Sequence, residues 1–360
     1  MKIAILTGGG DAPGLNSVIY GVVRTALNRF DNCQIIGYKF GYRGLYLNDY
    51  VELTQESTSG ILHKGGTMIY SSNKDNLFKY PVETNGVVEL QDVSQVAIDN
   101  LAKEGVDVLV ILGGDGTLTS ALDFSKRGVN VIGVPKTIDN DLGATAYTFG
   151  FQTAVDIVVE NLGRLHTTAE SHHRVIVTEV MGRDAGFIAL NSGIAGSADI
   201  ILIPEMPYSL HKVVEKIEQR RKEGKMFTII VVAEGAKEKG GDVVVGKVVE
   251  NSPEPLRYGG IATKLANDLE PLIENEVRSV NLGHIQRGGA PSSYDRLLSL
   301  RYATQAVDMI EAKAFGRMAA LWGGKMDSVE LEAVIGSNKA VKETDELVHV
   351  ALGLGISFGI

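Results

Sequence analysis

The residues best suited to chemistry sit in three short glycine- or acid-rich stretches. "GGDGT", residues 113–117, sets an acid between glycines and follows it with a hydroxyl. Glycines bare backbone N–H groups, which bind phosphate oxygens where a helix begins. Asp115 is suited to a Mg²⁺ ion that bridges such oxygens, and Thr117 to donating its hydroxyl. The other reading of Asp115 is a plain helix N-cap. "TGGGDAPGLN", residues 7–16, repeats the pattern around Gly10. It reads equally as a phosphate loop or as a tight strand-to-helix turn. It is not the dinucleotide fingerprint, because Pro13 stands at the final glycine position. "PKTIDNDLG", residues 135–143, spaces Asp139 and Asp141 two apart, so in an extended segment they share a face. Such a pair can divide labour, one acid taking a hydroxyl proton while the other helps hold metal. Lys136 and Thr137 add the cation and hydroxyl that a transferring phosphoryl group needs. A turn with Asx caps would also use Asp and Asn.

A second set is basic. "HHRVIVTEVMGRDAG", residues 172–186, carries Arg174 and Arg183 at the two ends of one apolar run. "VRSVNLGHIQRGGAPSSYDR", residues 277–296, adds Arg278, His284 and Arg287 before paired glycines. Arginines around a strand with glycines beyond it suit a sugar-phosphate clamp, although single arginines are more often solvated. "GDVVVGKV", residues 241–248, nearly fits a P-loop. Val248 replaces its Ser/Thr, and the polar surroundings predict a hairpin instead. Cys33 has no patterned His partner. His172 and His173 are adjacent and point apart on a strand, so no zinc-like constellation emerges.

These loops must be held by strands. Apolar, β-branched runs predict strands at 2–7, 34–38, 106–112, 129–134, 174–180, 199–204, 227–234 and 277–283. Helical periodicity predicts helices near 14–30, 92–104, 117–127, 150–168, 209–223, 259–271 and 292–314. Alternation of this kind means an α/β fold with mainly parallel sheets, whose ligands sit beyond the carboxyl ends of strands. Residues 235–258 read as a hairpin or long loop, and 326–360 carry no clear period.

Composition bounds the rest. The 360 residues are 44% hydrophobic and 22% charged, which suits a folded chain of two domains. A net charge of −9 argues against nucleic acid or an anionic membrane surface as partner. One cysteine excludes an intramolecular disulfide framework and fits a reducing cytoplasm. The opening "MKIAILTGGG" reads as a strand entering a loop rather than an export leader. No run of about 18 apolar residues suggests a membrane helix.

Taken in order, "GGDAPG", "GGDGT", "PKTIDND", "EVMGR" and "GHIQRGG" resemble the phosphofructokinase family, over residues 1 to about 315. The resemblance implies two Rossmann-like α/β lobes with the site between them. The donor lobe would be 1–150 plus 284–336, and the sugar-phosphate lobe 151–283 plus 337–360. It implies Mg²⁺-dependent phosphoryl transfer from ATP to O1 of fructose 6-phosphate in glycolysis, by a cytoplasmic homo-oligomer, usually a tetramer and at least a dimer. On the same analogy, Gly10, Asn73, Lys74 and Gly114, Asp115, Gly116 and Thr117 serve the donor, with Asp115 the metal residue. Asp139 would be the general base, with Lys136, Thr137 and Arg183 serving the transfer. Thr137, Ile138, Met181, Gly182, Glu234, His284, Ile285, Gln286 and Arg287 would hold the sugar phosphate. Arg174 and Arg278 would reach it from a neighbouring subunit.

Two signals about the donor conflict. Pyrophosphate-dependent relatives carry an aspartate where Gly116 stands, and its carboxylate blocks a nucleotide's α-phosphate. They also carry the lysine found here as Lys136. A steric and like-charge block is hard to evade, so Gly116 favours ATP, with pyrophosphate the alternative. A non-catalytic, sugar-phosphate-binding regulatory homologue would lack Asp139 or Arg183, and both are present. Lipid and NAD kinases share "GGDGT" but lack the sugar-phosphate motifs. Asn73 stands where bacterial ATP enzymes have an arginine. Arg24 and Lys225 match effector-site cations, but Tyr20 and Glu223 replace two others, which predicts weak effector control.

Overall fold

A computed structural model describes residues 1–84, 87–249 and 255–360. Two sheets organise them. In the larger, the strand order is Lys325–Glu330, Arg317–Trp322, Val131–Pro135, Val108–Gly113, Lys2–Thr7, Gln34–Tyr38 and Tyr50–Glu52. Its five inner strands run parallel, and each edge strand runs antiparallel to its neighbour. The smaller sheet is wholly parallel: Val277–Asn281, Val175–Val180, Thr228–Ala233 and Ile200–Leu202.

The inner strands are apolar on both faces because helices cover both. Ile3 and Ile5 enter one core while Ala4 and Leu6 enter the core on the opposite face. In the small sheet Ile176 and Val180 face one core, and Val175 and Val177 the other. Each buried Val, Leu or Ile among them contributes about 1.5–3 kcal/mol, which fixes strand register and hence where each loop emerges.

The chain passes between the sheets three times. Helix Phe151–His172 packs on the small sheet, and Ser293–Glu311 returns to the large one against Leu15–Arg29. Val341, Val348, Ile356 and Phe358 then close the small-sheet core. The two crossing helices are pinned at their starts by buried Asp295, whose Oδ2 accepts from Thr153 N at 2.7 Å and Thr153 Oγ1 at 2.6 Å.

Every strand and helix read from the sequence is present, with ends shifted by a few residues. The helix expected at 117–127 begins earlier, at Asp115. The 235–258 stretch forms a hairpin from Val245–Val248 and Leu256–Tyr258, whose turn lies outside the described residues. The P-loop-like sequence thus ends in an exposed strand. Not foreseen were the antiparallel pair Tyr80–Thr84 and Val87–Gln91, the edge strands, and helices Tyr42–Leu47, Phe187–Ala195 and Glu346–Gly353. Among the described residues no helix is long and apolar enough to cross a membrane.

Candidate active site

Strands Lys2–Thr7, Val108–Gly113 and Val131–Pro135 are parallel neighbours, so their three following loops emerge along one sheet edge. Backbone bonds knit them: Gly8 N donates to Leu112 O, and Lys136 N to Gly113 O, each at 2.9 Å. Gly8 is a glycine because Thr117 fills the space beside it; an added Cβ would lie 2.6 Å from Thr117 Cγ2. Gly116 is the reverse case, since a Cβ there would meet nothing within 4 Å. The protein's own packing therefore does not require glycine at 116. The cap reading of Asp115 fails. Gly114 occupies the cap position, Asp115 is the first helical residue, and its Oδ1 accepts only a long 3.4 Å bond from Gly336 N.

The acidic loop lies beside these glycines and is buried. Lys136 is only 4% exposed and donates its ammonium to Gly10 O. Burial, reinforced by nearby Arg287, pushes its pKa down to about 8. Asp139 Oδ2 accepts from Thr137 Oγ1 at 3.2 Å, while its buried Oδ1 has no hydrogen-bond partner among the described residues. Burial raises its pKa, opposed by Arg287, Arg183 and Lys136, which gather around it. Asp141 is pushed up to about 7 by burial and then by the neighbouring Asp139. A carboxylate left partly unpaired in a dry pocket is costly unless a ligand uses it. The Ile138 side chain does not line this pocket. It is 1% exposed and packs into the small-sheet core, so only its backbone can face a ligand.

Across from the acidic loop, the carboxyl ends of Val175–Val180 and Thr228–Ala233 bring Met181, Gly182, Arg183 and Glu234 together. Gly182 and Arg183 both take left-handed backbone conformations, φ 139° and 51°. Arg183 N donates to Glu234 Oε1 at 3.1 Å. Burial pushes Glu234 up to about 7. The turn Gly283–Arg287 closes this side. His284 and Ile285 are exposed, and Arg287 donates to Asp11 O at 3.0 Å, lying so close to Gly10 that any side chain there would strike its guanidinium. Gln286 is different. It is fully buried, accepts from Met181 N at 3.3 Å and donates to Gly283 O at 3.0 Å, so its amide faces inward and shapes the turn.

Arg174 and Arg278 do not join this cluster. They sit at the amino end of the small sheet, where Glu276 accepts from both. The six-residue strand Val175–Val180 separates Arg174 from the site by about 20 Å at ~3.3 Å per residue. Within one chain they cannot reach the ligand that Arg183 would contact. At the other sequence-flagged surface, Glu223 pairs with Lys225 at 3.7 Å, and Arg24 lies over the Tyr20 ring.

Asn73 and Lys74 line an open cleft of about 490 Å³ with Gly9, Gly10, Phe40 and Tyr70. The Phe40 and Tyr70 rings are stacked, 4.8 Å apart at 14°, and both are exposed. These two aromatics were not legible as functional, because each stands alone in its own loop and only the fold unites them.

Among the described residues no three His, Cys, Asp or Glu side chains gather as a metal cage. A half-buried Asp115 beside bare backbone amides fits instead a Mg²⁺ ion held by one carboxylate and by ligand phosphates.

A phosphofructokinase family profile matches residues 2–310. The chain is 64% identical over 359 residues to the ATP-dependent 6-phosphofructokinase 2 of Clostridium perfringens, covering 99% of this chain and 98% of that protein. It is 45% identical to the pyrophosphate–fructose 6-phosphate 1-phosphotransferase of Amycolatopsis methanolica, covering 95% and 96%. The solved phosphofructokinase of Saccharomyces cerevisiae superposes with a TM-score of 0.76 at 29% identity. That alignment covers 92% of this chain and 44% of the longer yeast chain.

Proposed function

The chain belongs to the phosphofructokinase family, and on that premise we propose that it is an ATP-dependent 6-phosphofructokinase, giving fructose 1,6-bisphosphate and ADP. The observation that carries the donor assignment is the empty space at Gly116. It leaves room for an α-phosphate at the start of a helix whose N–H groups and dipole favour an anion. The stacked Phe40 and Tyr70 beside Gly10 support it, since a nucleotide has a flat base to lay there and pyrophosphate has none.

Asp139 accepts the proton of the sugar 1-hydroxyl as that oxygen attacks the γ-phosphorus and the bond to ADP breaks. Its partnerless Oδ1 is free for that proton, and Thr137 steadies Oδ2. Lys136 and Arg183 offset charge on the transferring group, and the Gly114–Thr117 backbone and Gly10 receive donor phosphates. Mg²⁺, held by Asp115 with the donor's phosphate oxygens, would supply further charge neutralisation. Glu234, Met181, Gly182 and the Ile138 backbone hold the sugar, with His284 and Arg287 toward its 6-phosphate. Arg174 and Arg278, remote from their own site, are assigned to a neighbour's 6-phosphate, which makes the working unit at least a dimer and, by family habit, a tetramer. The donor lobe is taken as 1–150 plus 284–336, the sugar-phosphate lobe as 151–283 plus 337–360.

A buried Lys136 supports the pyrophosphate reading as the rival. Initial rates with fructose 6-phosphate and Mg²⁺, comparing ATP, ADP and pyrophosphate, decide it. Turnover with ATP alone is expected. Turnover with pyrophosphate alone would mean that Lys136 outweighs Gly116.

A further inference from the structure

Beyond the last strands of the large sheet, residues 336–341 run as a strap from the donor loops to the small-sheet side, outside the 2–310 stretch that the family profile matches. Gly336 N reaches Asp115, and an added Cβ on Gly143 would collide with the Ser337 backbone. Leu142 bridges Asn338, and Lys339 N donates to Asp141 O at 2.7 Å. Two residues on, Val341 N donates to Glu205 Oε1 at 2.8 Å. The same carboxylate accepts from Gly186 N at 2.9 Å, holding the turn that carries Arg183.

Lys339 is the centre of the strap. Its ammonium donates to Ala146 O at 2.7 Å, Thr145 O at 3.0 Å and Asn140 Oδ1 at 3.2 Å. All three of its protons are therefore used within the acidic loop. It also lies over the Phe187 ring, 5.6 Å from its centroid, at the start of the helix after Arg183. Asn140 needs such support. It is 4% exposed, its backbone is left-handed with φ 53°, and its Oδ1 accepts additionally from Thr148 N at 3.1 Å. Asn140 adjoins Asp139, so the ammonium that holds Asn140 also sets where the neighbouring carboxylate points. No surface function fits a lysine with its three protons directed inward. Burial lowers its pKa to about 8, and the nearby Asp141 favours the charged form.

We propose that Lys339 is a positioning residue for phosphoryl transfer: its ammonium clamps the Asn140–Ala146 loop and so fixes Asp139 against the Arg183 turn. This rests on the 6-phosphofructokinase reading. It concerns kcat more than binding, because misplacing a reacting group by about 1 Å costs on the order of 10²-fold while substrate contacts survive.

The test is steady-state kinetics of Lys339→Ala in the full chain, with and without ethylammonium chloride, against sodium chloride at equal ionic strength. The expected result is a kcat lowered about 30- to 100-fold with both KM values within about 3-fold. Ethylammonium, filling the emptied position, is expected to restore at least about a tenth of wild-type kcat. Should the alanine variant fail to fold, Lys339→Gln is measured in its place, with the same kcat-selective loss expected. Unchanged kcat overturns the proposal. So do a loss confined to KM, a loss of thermal stability with normal kcat in the folded fraction, and failure of both variants to fold. Absence of wild-type turnover with any donor would instead overturn the functional reading on which it rests.

Discussion

The glycine loops and the acidic pocket flank one cleft but are built on opposite principles. Around Gly8, Gly10 and Gly113 the side chains are missing because Thr117 or Arg287 already fills the space. Around Asp139, Asp141 and Glu234 the side chains are present, buried, and held away from their ordinary protonation range. One region recognises by leaving backbone bare, the other acts through charges kept dry. In the first, only Gly116 has open space beside it, so a side chain there should leave stability nearly unchanged and cost specificity. The second should lose turnover and gain stability.

The sharpest test of that contrast is Asp139→Ser, for which kcat is expected to fall about 10³-fold while fructose 6-phosphate still protects the protein in thermal melts. Near-normal kcat would remove Asp139 as the base. Next comes Gly116→Asp. Since a side chain there meets nothing within 4 Å, stability should move by less than ~1 kcal/mol. The ATP kcat/KM should nonetheless drop at least about 100-fold, close to 3 kcal/mol. A large loss of Tm would show that the position is structural after all.

The smallest effect concerns Glu234→Gln in the ligand-free protein. Burial raises the folded pKa of Glu234 to about 7, so its contribution to stability is complete below the unfolded value and disappears as pH rises through about 7. The neutral glutamine keeps that contribution. Chemical denaturation should find the variant equal to wild type near pH 4.5 and more stable by ~2 kcal/mol at pH 8, the gap opening between them. The KM for fructose 6-phosphate should rise about tenfold. A variant less stable at pH 8 would mean that the Glu234 charge is well paired and the contrast between the regions wrong.

Much of this was legible in the sequence, for reasons that particular segments make plain. Val108–Gly113 and Thr228–Ala233 are buried on both faces, so continuous apolar runs announced them. Lys325–Glu330 is an edge strand with one face in water, and "KMDSVE" offers too weak an alternation to find. Phe187–Ala195 is short and apolar on nearly every face, which erases helical periodicity. In the site, motifs identified residues that a ligand would touch. They could not separate an inward-facing Gln286 from an exposed His284 two residues before it. Nor could they find Lys339, whose partners lie nearly two hundred positions upstream and share no pattern with it.

The three passages of the chain between the sheets have a mechanical meaning. Cutting the backbone at any one of them leaves at least one fragment that still holds strands or helices of both cores, joined through the other two passages. A protease nick therefore frees no lobe, and the severed molecule stays together as one particle. Opening and closing of the cleft must bend three tethers in concert. The two cores are thus joined by three tethers rather than one, so any movement of one against the other strains all three passages together.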